Sequence, residues 1–112
     1  MTVISHIIAR NEIVSIVEDE LDIKNLFCDA IRKAVYGVTV LPFCDSVVAL
    51  KHFGENERNY RLVLADWKMP KMNGLELLNR VKRLNPNVRS ILISAFEFKM
   101  NLVSRHTSKR EL

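Results

Sequence analysis

The stretch "LVLADWKMPKMNG" (residues 62–74) ends a run of four apolar residues with a single carboxylate, Asp66, and then turns through Pro70 and Gly74. A second apolar run, "IVSIV" (13–17), stops abruptly at Glu18 and Asp19, and a third, "SILIS" (90–94), closes on the hydroxyl of Ser94. Carboxylates brought together repel one another, which raises their pKa values or costs stability unless a cation compensates. Mg²⁺ suits that role, because it commonly binds through one or two carboxylates and keeps waters and phosphate oxygens as its other ligands. The same arrangement suits phosphoryl transfer: the cation neutralises charge on the moving group, and an aspartate can be the nucleophile and form an acyl phosphate. Each residue alone has a plainer reading, since Asp19 or Asp22 can cap a helix and Asp66 can open an Asx turn. Their delivery to one edge of one sheet is what favours chemistry.

That delivery depends on the elements in between. "IVSIV" is short, β-branched and continuously apolar, as a strand covered on both faces should be. From Leu21 to Val35 the residues Ile23, Leu26, Phe27, Ala30, Ile31 and Ala34 repeat with the spacing of one helix face, and Gly37 stops the helix. "VTVLPFC" (38–44) is a second strand, and Pro42 assigns it to a sheet edge where a missing N–H does no harm. Asp45 or Ser46 caps a short helix over "VVALKHF", which Gly54 is expected to close. "RLVLAD" (61–66) is the third strand. "LELLNRVKRLN" supplies a third amphipathic helix with Leu77, Leu78, Val81 and Leu84 inward, ended by Pro86, and "SILIS" is the fourth strand. Strands alternating with helices through short loops predict an α/β fold with a parallel sheet and right-handed crossovers. In such sheets ligands bind at the carboxyl ends of the strands, where Glu18, Asp19, Asp66 and Ser94 fall.

The bulk numbers agree with one globular domain. The 112 residues are 48 % hydrophobic and 27 % charged, a balance of core and surface that disordered chains lack. No apolar run approaches the roughly 18 residues of a membrane span, and "MTVISHIIAR" lacks the marks of a secretory signal. Cys28 and Cys44 have neither metal-ligand nor disulfide spacing and read as small buried hydrophobes, which points to a reducing, cytoplasmic setting. The net charge of +4 is concentrated in residues 99–112, which carry +3. Without an aromatic-interleaved patch this basic tail is a weak argument for nucleic acid. Residues 95–112 do not decide between periods, because Phe96, Met100 and Val103 suit a helix while Phe96, Phe98, Met100 and Leu102 alternate as in a strand. His6, His52 and His106 stand far apart and read as surface or capping residues.

Three segments, "IVEDE", "LADWKMPKMNG" and "ILISA", resemble the response-regulator receiver domain of two-component signalling, and the resemblance covers about residues 11–98. It implies a flavodoxin-like doubly wound parallel sheet with four clear strands and an atypical fifth unit. The expected division is an N-terminal extension (1–10), a receiver-like domain (11–98) and a basic tail (99–112). Position by position, Asp66 resembles the phosphoacceptor, Asp19 the direct carboxylate ligand of Mg²⁺, and Glu18 the outer acidic partner, where the family more often has Asp. Lys68 would offer its backbone carbonyl to the metal, Ser94 resembles the hydroxyl that binds the phosphoryl group, and Pro70 and Gly74 shape the loop into the third helix. A receiver usually carries a lysine, mostly before proline, at the end of a fifth strand. Lys99 and Lys109 are the lysines after Ser94, no Lys-Pro occurs, and the role passes to neither.

The resemblance therefore implies a switch rather than an enzyme. A sensor histidine kinase would donate a phosphoryl group to Asp66 with Mg²⁺ bound, and the output would pass through protein contacts to a downstream partner. An unphosphorylated pseudo-receiver acting as an interaction module is the alternative. A phosphohydrolase of the aspartyl-phosphate kind is disfavoured because Lys68 stands where its second aspartate would be. The fourth strand is expected to leave an apolar edge, which raises self-association as a homodimer.

Overall fold

The structure, a computed structural model, describes residues 12–94. The expected N-terminal extension, the segment 95–98, the basic tail, His6 and His106 lie outside the described residues. Four strands, β1 (Glu12–Val17), β2 (Val38–Phe43), β3 (Tyr60–Asp66) and β4 (Arg89–Ile93), alternate with three helices, α1 (Leu21–Ala34), α2 (Ser46–Asn56) and α3 (Gly74–Leu84). All pairings are parallel and the strand order is β2-β1-β3-β4. This is the flavodoxin-like α/β sheet expected from the sequence. Chain order reverses between β1 and β3, which makes the carboxyl ends of those two strands the switch point of the sheet.

Each face of the sheet has its own core. On one face α2 and α3 press Phe53, Leu77 and Val81 against Val17, Val63 and Ala65, all of them buried. On the other, Cys28 of α1 meets Val14, Ile16, Val40 and Leu64, with Phe27 and Ile31 packed alongside. Residues 13–17 are buried throughout, as expected of a central strand covered on both sides. Pro42 lies in β2, which is an edge strand, so its missing N–H leaves no gap in the ladder.

Several local expectations need correction. Gly54 does not close α2: the helix runs on to Asn56 and tightens into a 3₁₀ turn over Glu57–Asn59. A glycine inside a helix costs roughly 1 kcal/mol, which lowers stability without stopping the helix. Leu26, Ala30 and Ala34 of α1 are exposed, so the buried stripe of that helix is narrower than its apolar stripe. Cys44 is exposed, whereas Cys28 is buried. Leu84 is also exposed rather than inward. Of the two candidate caps for α2, Asp45 takes the role, its Oδ1 accepting from the backbone N–H groups of Val47 and Val48 at 2.8 and 3.2 Å.

Candidate acidic site at the carboxyl ends of the strands

Backbone pairing carries the sheet one residue beyond the strands that matter. The N–H of Glu18 donates to Phe43 O at 2.9 Å, and the N–H of Trp67 donates to Ile93 O at 2.7 Å. These bonds hold the residues that follow β1 and β3 in fixed register. Val17 pairs with Ala65 and Asp66 with Ile93, so Glu18, Asp66 and Ser94 belong to three adjacent strand ends. Carboxylate oxygens of Glu18, Asp19 and Asp66 all lie within 4.8 Å of one another. Of the sequence-derived site residues, the structure gathers these three, sets Ser94 one residue past β4, and puts Lys68 two residues past Asp66 in the loop toward α3.

Burial separates the three carboxylates. Asp19 is exposed, while Asp66 is 5 % exposed and Glu18 only 1 %. One oxygen of Glu18, Oε2, accepts from the N–H of Glu20 at 2.8 Å. The other, Oε1, is buried with no hydrogen-bond partner. Burial is the main cause that pushes the Glu18 carboxyl up from 4.5 to about 7, the negative charges of Asp66 and Asp19 add to it, and the Glu20 N–H opposes it. A buried acid with an unsatisfied oxygen beside two further carboxylates is costly unless a cation or proton satisfies it. The oxygen-only donor set is that of a hard divalent cation such as Mg²⁺, and the orphaned Glu18 Oε1 is the observation that makes these residues fit one.

The loop from β3 to α3 is built for close approach. Asn73 caps α3 by accepting from the N–H of Glu76 at 2.9 Å, and the N–H of Gly74 donates to Trp67 O at 3.0 Å. A Cβ at Gly74 would collide with the carbonyl oxygen of Asp66, so only glycine lets the helix start against the backbone of the acidic residue. Met69 and Met72 are buried and anchor the loop, whereas Trp67 is 42 % exposed. Lys71 adopts φ 69° and its Nζ pairs with Asp45 Oδ2 at 2.9 Å, tying the loop to the start of α2. The Asp45–Lys71 pair and the full burial of Glu18 escaped sequence reasoning. The first joins residues 26 apart, and the second comes from a strand ladder that continues past its last apolar residue.

A doubly wound parallel sheet in the order β2-β1-β3-β4, with an acidic cluster at its switch point, places the chain among the flavodoxin-like α/β domains. Within that class, the family model of the response regulator receiver domain matches residues 14–106, and the chain belongs to that family. It is 32 % identical over 79 residues to the response regulator receiver protein CpdR of Brucella abortus, covering 70 % of this chain and 62 % of that protein. It is 31 % identical over 86 residues to the sporulation initiation phosphotransferase F of Bacillus subtilis, covering 77 % of this chain and 66 % of that one. The chain thus spans somewhat under two thirds of the length of these curated relatives. Among solved structures, a chain of the CheX–CheY–BeF₃–Mg complex from Borrelia burgdorferi matches with TM-score 0.64 and 27 % identity, covering 75 % of this chain and 62 % of that chain. A chain of the complex between histidine kinase ThkA and response regulator TrrA matches with TM-score 0.62 and 27 % identity, covering 76 % and 70 %. The family is one of phosphoacceptor switches in two-component signalling rather than of enzymes acting on a separate substrate. No helix among the described residues is long and apolar enough to cross a membrane.

Proposed function

We propose that this chain is a phosphorylation switch in which Asp66 accepts a phosphoryl group from a histidine kinase in the cytoplasm. The observation that carries the reading is the gathering of Glu18, Asp19 and Asp66 within 4.8 Å at the switch point, with Glu18 Oε1 buried and unpartnered. Glu18, Asp19, Asp66 and the backbone carbonyl of Lys68 would hold Mg²⁺. When bound, the ion supplies neutralisation of the charge that builds on the transferring group and on the crowded carboxylates. An oxygen of Asp66 attacks phosphorus, the P–N bond to the donor imidazole breaks, and the imidazole keeps the electron pair and leaves neutral after taking a proton from water. Ser94, at the neighbouring strand end, would donate its hydroxyl hydrogen to a phosphoryl oxygen. The close Gly74–Asp66 backbone contact then offers a direct route from the modified residue to α3 and its surface, read by a downstream protein.

The ThkA–TrrA complex pairs a histidine kinase with a response regulator, and the Borrelia complex contains BeF₃ and Mg; both support the assignment by likeness. The test uses radiolabelled phosphoramidate, whose P–N bond mimics a phosphohistidine, with hydroxylamine as the probe for an acyl phosphate. Label that requires Mg²⁺ and is released by hydroxylamine supports the reading. Folded protein that takes up no label would instead mark the chain as an unphosphorylated interaction module.

A further inference from the structure

The loop that leads from Asp66 into α3 is fixed at both ends. The N–H of Gly74 donates to Trp67 O at 3.0 Å, and Met69 and Met72 within the loop are buried. Between these anchors the chain reverses over three residues: the N–H of Met72 donates to Pro70 O at 2.7 Å, with Lys71 between them at φ 69°. That is a γ-turn in its strained form, and its central residue stands in the left-handed region that glycine enters without steric cost. Lysine is a poor choice for this backbone. The reason for its presence is sought in the side chain.

Lys71 Nζ lies 2.9 Å from Asp45 Oδ2. Asp45 is also the cap of α2, its Oδ1 accepting from Val47 and Val48. One carboxylate therefore ties the loop with one oxygen and the helix with the other. The hydrogen bond from Lys71 is the main cause that holds the Asp45 carboxyl below its usual range, and the Val48 N–H adds to it. The side chains are 66 % exposed on Lys71 and 26 % on Asp45, and a pair so open to water contributes too little to hold a strained turn in place. Pro70, with its preset φ, and the two buried methionines do that. The pair can thus open without unfolding the loop.

We propose that the Lys71–Asp45 pair is a latch that phosphorylation of Asp66 opens, which makes the first turn of α2 a responding element. The inference rests on the phosphoacceptor reading. Phosphorylation replaces the single negative charge of Asp66 with about two. Lys71 follows Asp66 by five residues in a loop whose ends meet, so the added charge attracts Lys71 and repels Asp45. It acts against the pair from both sides. Release also lets Lys71 leave its left-handed conformation, which favours opening. Asp45 then caps α2 without the ammonium that steadies its carboxylate, and the first turn of the helix frays more often.

The test follows amide exchange at Val47 and Val48, and the Asp45 carboxyl, by NMR on the full chain with Mg²⁺, with and without BeF₃ as a stable stand-in for the phosphoryl group. In the wild type, BeF₃ should speed exchange at both amides about two- to fivefold, the range an exposed pair supports, and move the Asp45 titration up toward the ordinary carboxylate range. Two variants cut the latch at opposite ends. Lys71→Gly removes the amine and suits the γ-turn, while Asp45→Ser keeps a cap acceptor without its charge. Both should bind BeF₃ as the wild type does, read by Trp67 fluorescence, yet show no change in exchange when it binds. Wild-type protein that binds BeF₃ with Asp45 and α2 unmoved would overturn the latch alone, as would a response that persists in Lys71→Gly. Wild-type protein that takes up neither BeF₃ nor label from phosphoramidate would overturn the phosphoacceptor reading and the latch together.

Discussion

The two ends of the sheet carry opposite chemistry on the same four strands. At the carboxyl end, Glu18 and Asp66 are buried and share their space with Asp19. At the amino end, Arg61, Lys82 and Arg89 are exposed beside the apolar Leu62 and Ile91. The difference between them is solvation. Exposed cations are satisfied by water and cost the fold little, whereas a buried carboxylate with an unpartnered oxygen is a standing cost that a bound cation relieves. The acidic end therefore has a reason within its own physics to take a ligand, and the exposed cations of the basic end supply none.

The largest expected effect comes from removing the residue on which the contrast turns. Asp66→Ala should abolish phosphorylation while leaving the fold intact, checked by label uptake alongside circular dichroism. Next, Gly74→Val forces side-chain atoms into the Asp66 carbonyl, so α3 must move; phosphorylation and thermal stability should fall together, by roughly 2 kcal/mol or more in stability.

Glu18 sharpens the comparison through pH. Its folded-state pKa is raised from 4.5 to about 7, so in that window the folded chain holds a proton the unfolded chain has released. Its contribution to stability is fully present below about 4.5 and is lost as pH rises through about 7, by roughly 1–3 kcal/mol once screening is allowed for. Glu18→Gln should flatten that slope in denaturant melts. Because Mg²⁺ needs the ionised carboxylate, affinity followed by Trp67 fluorescence should climb across the same range in the wild type and drop about tenfold or more in Glu18→Gln. The smallest effect is expected from Lys71→Ala, which releases the loop from Asp45 across an exposed ion pair; the denaturation midpoint should move far less than in Gly74→Val.

Much of this was legible in the sequence, and the reasons are specific. "IVSIV" and "LVLA" announce buried parallel strands because both faces of a central strand need apolar side chains, and the acids that follow must then fall on the carboxyl edge. Pro42 was equally readable, since it lacks a donor, whereas the cap of α2 was legible only as Asp45 or Ser46, because both side chains supply an acceptor and the structure chooses Asp45. Gly54 misled because a local preference was overridden by the packing of α2 through Ala49 and Phe53. The exposure of Leu26 and Ala30 could not be read, because an apolar stripe does not say how much of it a neighbour covers. Nor could the burial of Glu18, which depends on a backbone hydrogen bond to Phe43 made two elements away in the chain.

The most direct test of the acidic end is intact mass after incubation with a small acyl-phosphate donor, with and without Mg²⁺, on the wild type and on Asp66→Ala. A single phosphoryl adduct that forms only with Mg²⁺ and is missing from the variant is the predicted result. An adduct that persists in Asp66→Ala, or folded wild-type protein that gains none, would contradict it.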